Sequence, residues 1–288
     1  MTCNNLDLSE LLSKTSVFPE RQGKYSDFYT GKCTMQGLVL PKLIGIKALR
    51  ANCVYKELLA GGFTERFKKH AEGWAAFNHV NVARCYGYAL DCGPMPAIIM
   101  DYYSEGNIMQ YIKMKLPSFK EKIGMVLDIA EGLDYLHTLK PPVLHGDLRA
   151  ANVFITDSKR AVIADYELGF IIPAQGSRGY GFEDNARWLA SELLNDYEDT
   201  LTCTTASDVF AFAMTVIEIF AEEIPFAANT LDDVLRLRDK GQRPDLPIEI
   251  LACTWFSELV QTCWAEEPTA RPTSAGIIHV LSTRLLSI

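Results

Sequence analysis

A chain of 288 residues, 48% hydrophobic and 22% charged, is long enough for one large domain or two smaller ones and contains no biased tract that would leave it disordered. Its net charge of −8 is offset by no Lys/Arg cluster, which argues against a nucleic-acid or anionic-membrane partner. Eight cysteines, at positions 3, 33, 53, 85, 92, 203, 253 and 263, form no CxxC pair and none sits beside a His at zinc spacing, so they read as reduced and mostly buried.

Met1 to Leu12 lacks the basic start and apolar run of a signal peptide, and an intracellular location, cytoplasmic or nuclear, is the expectation. From about residue 15 to 103 the chain reads mainly as short strands. Gln36-Gly37 sits where a hairpin turn belongs, Leu43-Ile-Gly-Ile-Lys47 follows as a strand, and Ala97-Ile-Ile-Met100 is another, buried one. Between them Phe63 to Phe77 reads as one helix, weakened by Gly73. The texture changes near Asp101 to Asn107, after which helices dominate. Ser118-Phe-Lys-Glu121 is a capping box after Pro117, and Ile123, Val126, Leu127, Ala130 and Leu133 recur behind it at helical spacing. A further capped helix starts near Ser207-Asp208. Its run Val209 to Phe220 is apolar on nearly every side, which predicts a place in the middle of a helical lobe. That run contains Glu218 and is too short to span a bilayer, so no membrane insertion is expected. The expected class is α+β, a small strand-rich lobe with one main helix followed by a larger, mainly helical lobe.

The most informative segment is Val143-Leu-His145-Gly-Asp147-Leu-Arg149-Ala-Ala-Asn152-Val-Phe154-Ile155. An Asp and an Asn at this spacing can hold a nucleophile and a cation on one side of a loop. Asp165 follows after the apolar run Ala161-Val-Ile-Ala164. Two hard oxygen ligands beside a potential base suit Mg²⁺ bound through phosphates.

These residues resemble the catalytic loop and metal-binding motif of protein kinases. A similar loop occurs in aminoglycoside and choline phosphotransferases, but the C-terminal half favours protein kinases. Arg187-Trp-Leu-Ala-Ser191-Glu192 is similar to RWMAPE, Ser207-Asp208-Val-Phe-Ala-Phe to SDVYSFG, and Glu223-Ile-Pro-Phe226 to GxxPF. Cys263-Trp264 with Pro268-Thr-Ala-Arg271-Pro272 resembles the end of kinases of the tyrosine-kinase-like group. The resemblance implies the bilobal protein-kinase fold. Residues 1–14 would be an N-terminal extension and 15–288 the kinase domain, with an N-lobe at about 15–100, a hinge at about 101–107 and a C-lobe at about 108–288. It implies ATP and Mg²⁺ as cofactors, Asp147 as catalytic base, Asn152 and Asp165 as metal ligands, and Lys47 on the α/β-phosphates. Gly23, Phe28, Gly45, Met100, Asp101, Tyr103 and Phe154 would complete the nucleotide site. It also implies that Asp208 braces the catalytic loop and that Glu192 and Arg271 form a buried ion pair.

The sequence departs from that pattern where ATP would sit. Arg21-Gln-Gly23-Lys-Tyr-Ser26-Asp-Phe28 keeps one glycine of GxGxxGxV. Phe28, Gly45 and Phe154 replace the valine, alanine and leucine around the base; two phenylalanines can sandwich a base, or one can fill its pocket. His70 stands where a glutamate would face Lys47, with Glu72 on the wrong side of the helix. Asp165-Tyr166-Glu167 replaces DFG, and His145-Gly146 lacks the arginine that reads a phosphate on residues such as Ser177 or Tyr180. Asp184-Asn185 takes the place of the Gly-Ser/Thr that helps seat Ser/Thr substrates, while Arg149 and Arg187-Trp188 point to different acceptors; Ser/Thr is favoured over Tyr. The expected function is a protein kinase acting on a protein substrate, with any adaptor bound in trans. The alternatives are a pseudokinase scaffold and, behind it, a small-molecule phosphotransferase.

Overall fold

The computed structural model describes residues 6–22, 26–34, 43–50, 62–93, 95–166, 185–194 and 203–287 and divides the chain into two compact units, with a boundary between Tyr103 and Ser104. The Gln36-Gly37 turn expected from the sequence lies outside these residues.

The first unit is built on an antiparallel sheet. Its strands are β1 (Leu12–Lys14), β2 (Arg21–Gln22), β3 (Ser26–Cys33), β4 (Ile44–Leu49), β5 (Cys85–Ala89) and β6 (Ala97–Asp101), in the order β1-β3-β4-β6-β5, with β2 also on β3. Side chains paired across antiparallel strands share a face. The register therefore puts Tyr29, Ile44, Ile46, Ala48, Ala97 and Ile99 on one face, and Phe28, Gly45, Lys47, Ile98 and Met100 on the other.

The first face is closed by residues 6–14, which the sequence sets apart as an extension. Leu6 and Leu8 hydrogen-bond to Tyr88 on the β5 edge, at 2.9 and 2.8 Å, before the chain crosses to β1 on the β3 side. Leu8, Leu11 and Leu12 pack on Ile44, Ile46, Ala89 and Ile99 as it crosses. The approach at β5 is tight enough to demand glycine: Gly87 sits at φ 141°, and a Cβ there would lie 2.1 Å from the Leu6 carbonyl oxygen.

On the other face, helix α1 (Phe63–Ala75) packs against β5. Its buried residues Phe63, Phe67, His70, Ala71 and Trp74 recur with helical period, so one stripe meets the sheet. Phe67 meets Tyr88 edge to face at 6.4 Å, and the Trp74 indole N–H donates to the Ala83 carbonyl at 2.7 Å. The helix ends two residues before the expected Phe77.

The second unit is mainly helical. Its helices include α2 (Ile108–Lys115), α3 (Phe119–Thr138), α4 (Ser191–Leu194), α5 (Thr205–Ala221), α6 (Leu231–Asp239), α7 (Ile248–Leu251), α8 (Thr254–Cys263) and α9 (Ser274–Leu285). The Ser118–Glu121 box caps α3 as its sequence predicts: the Ser118 hydroxyl accepts from the Glu121 N–H at 3.3 Å, and Glu121 accepts from the Ser118 N–H at 2.8 Å. Helix α5 is buried from Ser207 to Phe220 and occupies the middle of this unit, packed by α3 and α8. Its cap is Thr204, three residues before the expected start, because Thr204 and Ser207 form their own reciprocal box. A short hairpin, β7 (Val153–Ile155) with β8 (Ala161–Ile163), is pinned to α3, whose Asp128 accepts from the Ala161 N–H at 2.8 Å and from Arg160 Nε at 2.6 Å.

Of the six described cysteines Cys85 and Cys263 are buried and the other four half-buried, fewer buried than the sequence suggested. Among the described residues no helix is long and apolar enough to cross a membrane.

Candidate active site

In the helical unit the β7–β8 hairpin explains the separation between Asn152 and Asp165. Val153 pairs with Ile163, so Asn152 enters the hairpin beside the point where Ala164 and Asp165 leave it, and the Ala164 N–H donates to the Asn152 carbonyl at 2.9 Å. Asp165 is buried and holds φ at 65°, a left-handed conformation that an aspartate tolerates better than most residues. Such a conformation costs on the order of 1–3 kcal/mol and persists where its surroundings hold it in place.

The loop from His145 to Asn152 is held from below by α5. The Asp208 carboxylate accepts from the His145 N–H at 2.8 Å and the Gly146 N–H at 2.9 Å, and it lies 2.9 Å from His137 Nε2. His137 thus belongs to the brace. Asp147 is fixed from the other side. The Asn152 amide donates to the Asp147 carbonyl at 2.8 Å and to its Oδ2 at 2.9 Å, while Arg149 Nε lies 3.3 Å from Oδ1. Spending its Nδ2 on Asp147 leaves Asn152 Oδ1 as the amide's remaining acceptor, a hard oxygen suited to a divalent cation.

Burial pushes the Asp147 carboxyl up from its ordinary value, and the Asp165 charge pushes the same way. Arg149, His145 and the Asn152 amide oppose them. Burial holds the enclosed His145 imidazole down, against the pull of Asp208, Asp147 and Asp165.

One residue beneath the loop was not singled out for a role by its sequence. Glu218, on α5, accepts from the Ala150 N–H at 3.0 Å and from the Trp188 indole N–H at 2.9 Å, both through Oε2. Burial pushes it up to about 7. The available signal was a lone carboxylate inside an apolar helix, since such a group is retained only with partners. The expected Glu192–Arg271 pair is present and bidentate, at 2.7 and 2.8 Å, and Arg271 also donates to the Ala206, Ala265 and Glu266 carbonyls.

The strand unit holds the other half of the predicted residues. Lys47 stands on β4 between Phe28 and Ile98, and Gly45 between Thr30 and the buried Met100, all within the sheet. The Phe28 ring stacks on Tyr102 at 6.4 Å and 22°. At the end of β6 the Asp101 carboxylate accepts from the Tyr86 hydroxyl, and the Tyr103 ring is buried. His70 is buried on α1 with its ring 6.1 Å from Trp74, and Glu72 is exposed.

The helical unit thus gathers Asp147, Asn152 and Asp165, with Phe154 on the adjoining β7, and the strand unit gathers Phe28, Gly45, Lys47 and Met100 on one sheet face with Asp101 and Tyr103 at its end. Gly23, Lys24, Glu167, Ser177, Tyr180 and Asp184 lie outside the described residues. Among the described residues no group of three or more His, Cys, Asp or Glu forms a metal site, so a cation at Asn152 and Asp165 would complete its shell from phosphate or water.

The family profile for protein tyrosine and serine/threonine kinases matches residues 21–281, and the chain belongs to this family. Its α+β architecture is the protein-kinase fold, as the motifs imply. The chain is 26% identical over 250 residues to the serine/threonine/tyrosine-protein kinase HT1 of Arabidopsis thaliana, covering 85% of this chain and 61% of that one. It is 26% identical over 272 residues to the serine/threonine-protein kinase TNNI3K of Mus musculus, covering 92% and 31%. It is also 26% identical over 220 residues to the probable serine/threonine-protein kinase roco11 of Dictyostelium discoideum, covering 72% and 14%. The chain therefore spans less than two thirds of the length of these relatives.

Proposed function

We propose that the chain is an ATP-dependent protein kinase that phosphorylates a serine or threonine hydroxyl of a protein substrate, in the cytoplasm and with any adaptor bound in trans. The observation that carries this reading is the double fixation of Asp147, whose backbone neighbours hang on Asp208 and whose carboxylate is aimed by Asn152. Phosphoryl transfer needs positioning and charge neutralisation more than covalent participation by the protein, and this loop supplies the positioning.

In the proposed reaction the substrate hydroxyl forms a new O–P bond as the bond from the γ-phosphorus to the β-phosphate oxygen breaks. The hydroxyl proton passes to the Asp147 carboxylate, which Asn152 orients through Oδ2 and Arg149 flanks at Oδ1. Asn152 and Asp165 would hold Mg²⁺, which when bound neutralises phosphate charge, and Lys47 would hold the α/β-phosphates. Asn152 Oδ1 and the buried Asp165 carboxylate are the hard oxygens such an ion requires. The names of the relatives favour Ser/Thr as the acceptor, with Tyr second.

The test compares wild type with Asp147→Asn for phosphate incorporation from ATP and Mg²⁺ into a generic protein substrate. Nucleotide-induced thermal stabilisation is followed in parallel. The variant should lose about 10²–10⁴ of the rate while keeping its nucleotide stabilisation. Undiminished transfer by Asp147→Asn would remove Asp147 from the mechanism, and an absence of stabilisation of the wild type at millimolar nucleotide would sink the enzyme reading.

A further inference from the structure

The sequence leaves open whether Phe28 roofs a bound base or fills its place. The geometry of β3, β4 and the end of β6 answers this within the strand unit. Phe28 pairs with Lys47, so its side chain shares a face with Gly45 two residues along β4 and reaches it diagonally. The ring tip lies down on that glycine. A Cβ at Gly45 would stand 2.7 Å from Phe28 Cζ, 3.0 Å from Cε2 and 3.0 Å from the Asp101 carbonyl oxygen. Phe28 and Gly45 are therefore one packing unit, the missing methyl of the second making room for the ring of the first.

The ring is also held from its sides. Tyr102 stacks on it at 6.4 Å, and the Arg21 guanidinium lies 5.9 Å from its centroid. These contacts anchor it beside the backbone of residues 101–103, the polar edge that a planar base would read. Phe28 is only half-buried and is not one of the residues of the sheet core.

We infer that Phe28 is an intramolecular occupant of the adenine subsite, competing with the base of a nucleotide for the recess over Gly45 beside the Asp101 carbonyl. This deepens the kinase reading and rests on it for the identity of the ligand. Base binding must turn the ring off Gly45 and give up its contacts with Tyr102 and Arg21. The phosphates, assigned to Lys47 and the cation rather than to the recess over Gly45, are not subject to that competition.

Adenosine, which has the base but no phosphate, is the probe, measured by calorimetric titration against wild type, Phe28→Val and Phe28→Leu; inorganic tripolyphosphate is the control. Both variants should bind adenosine about tenfold tighter than wild type, equal to about 1.4 kcal/mol, the scale of the ring contacts released. Tripolyphosphate affinity should not change. Equal or weaker adenosine binding by the variants would overturn the inference, because the ring would then be a platform for the base. Absence of adenosine binding in all three proteins would overturn it as well. Tighter adenosine binding without phosphate transfer would leave the inference standing and remove the kinase reading. Gly45→Ala supplies a second, ligand-free measurement. It should lower Tm in the wild-type background and lower it less in Phe28→Val, and equal losses in both would show that the two residues are not one unit.

Discussion

Glu218→Gln tests how the catalytic loop is carried by α5. Burial raises the carboxyl from 4.5 to about 7, against two donated hydrogen bonds and the nearby Arg149 charge. The folded state therefore holds the proton through a range in which the unfolded chain has released it, and stability falls as pH rises from about 4.5 to about 7. The separation of those two values corresponds to about 3 kcal/mol of stability lost in the wild type. Glutamine keeps a carbonyl acceptor for the Ala150 N–H and the Trp188 indole but carries no charge at any pH. In urea unfolding at several pH values, Glu218→Gln should gain on wild type by about 3 kcal/mol between pH 4 and pH 8, with the gain levelling off above about 7. A stability difference that stays constant across that range would refute the argument, because it would mean that Glu218 is ionised in the folded protein much as it is in the unfolded chain.

The ion pair and the N-terminal segment give two further expectations. Glu192→Gln strands the fully buried Arg271 side chain without its counter-charge and should cost about 3–5 kcal/mol in urea unfolding, whereas Glu192→Leu with Arg271→Met should recover much of that loss. A double variant no more stable than Glu192→Gln would show that the guanidinium's carbonyl contacts, not the pair, carry the stability. Leu8→Ala should destabilise by about 2–5 kcal/mol, as for a core leucine, since Leu8 is 3% exposed within the sheet cluster. A change under about 0.5 kcal/mol would mean that residues 6–14 lie on the sheet without supporting it.

What could be read in the sequence was whatever is set by short spacing. Asp147, Asn152 and Asp165 were legible because a tight loop and one short hairpin bring them together without help from distant chain. The Ser118–Glu121 cap was legible for the same reason. The start of α5 was misread because Thr204 and Ser207 both satisfy cap chemistry, and only the folded chain shows which of them is outermost. Strand β1 and the Leu6–Leu8 pairing were hidden because their partners on β3 and β5 lie far along the chain, and nothing local in Leu6–Lys14 announces a strand. Phe28 and Gly45 each showed as a departure from the kinase pattern. That they compensate one another depends on a diagonal between strands, which no local pattern encodes.

The segment that straps the sheet also sets a schedule for making it. Leu8 and Ser9 leave the ribosome early, but their partners Tyr88 and Leu90 follow some eighty residues later; the Ser9–Leu90 hydrogen bond spans 81 positions. At about 5–20 residues per second the wait is on the order of 4–16 s. During that interval the strap can pair with β3 and pack on β4 but Leu8 lacks its β5 partner, and the β5 edge, once made, stands unpaired until the strap reaches it. Slowing translation just after residue 90 should therefore favour correct closure of the strand unit.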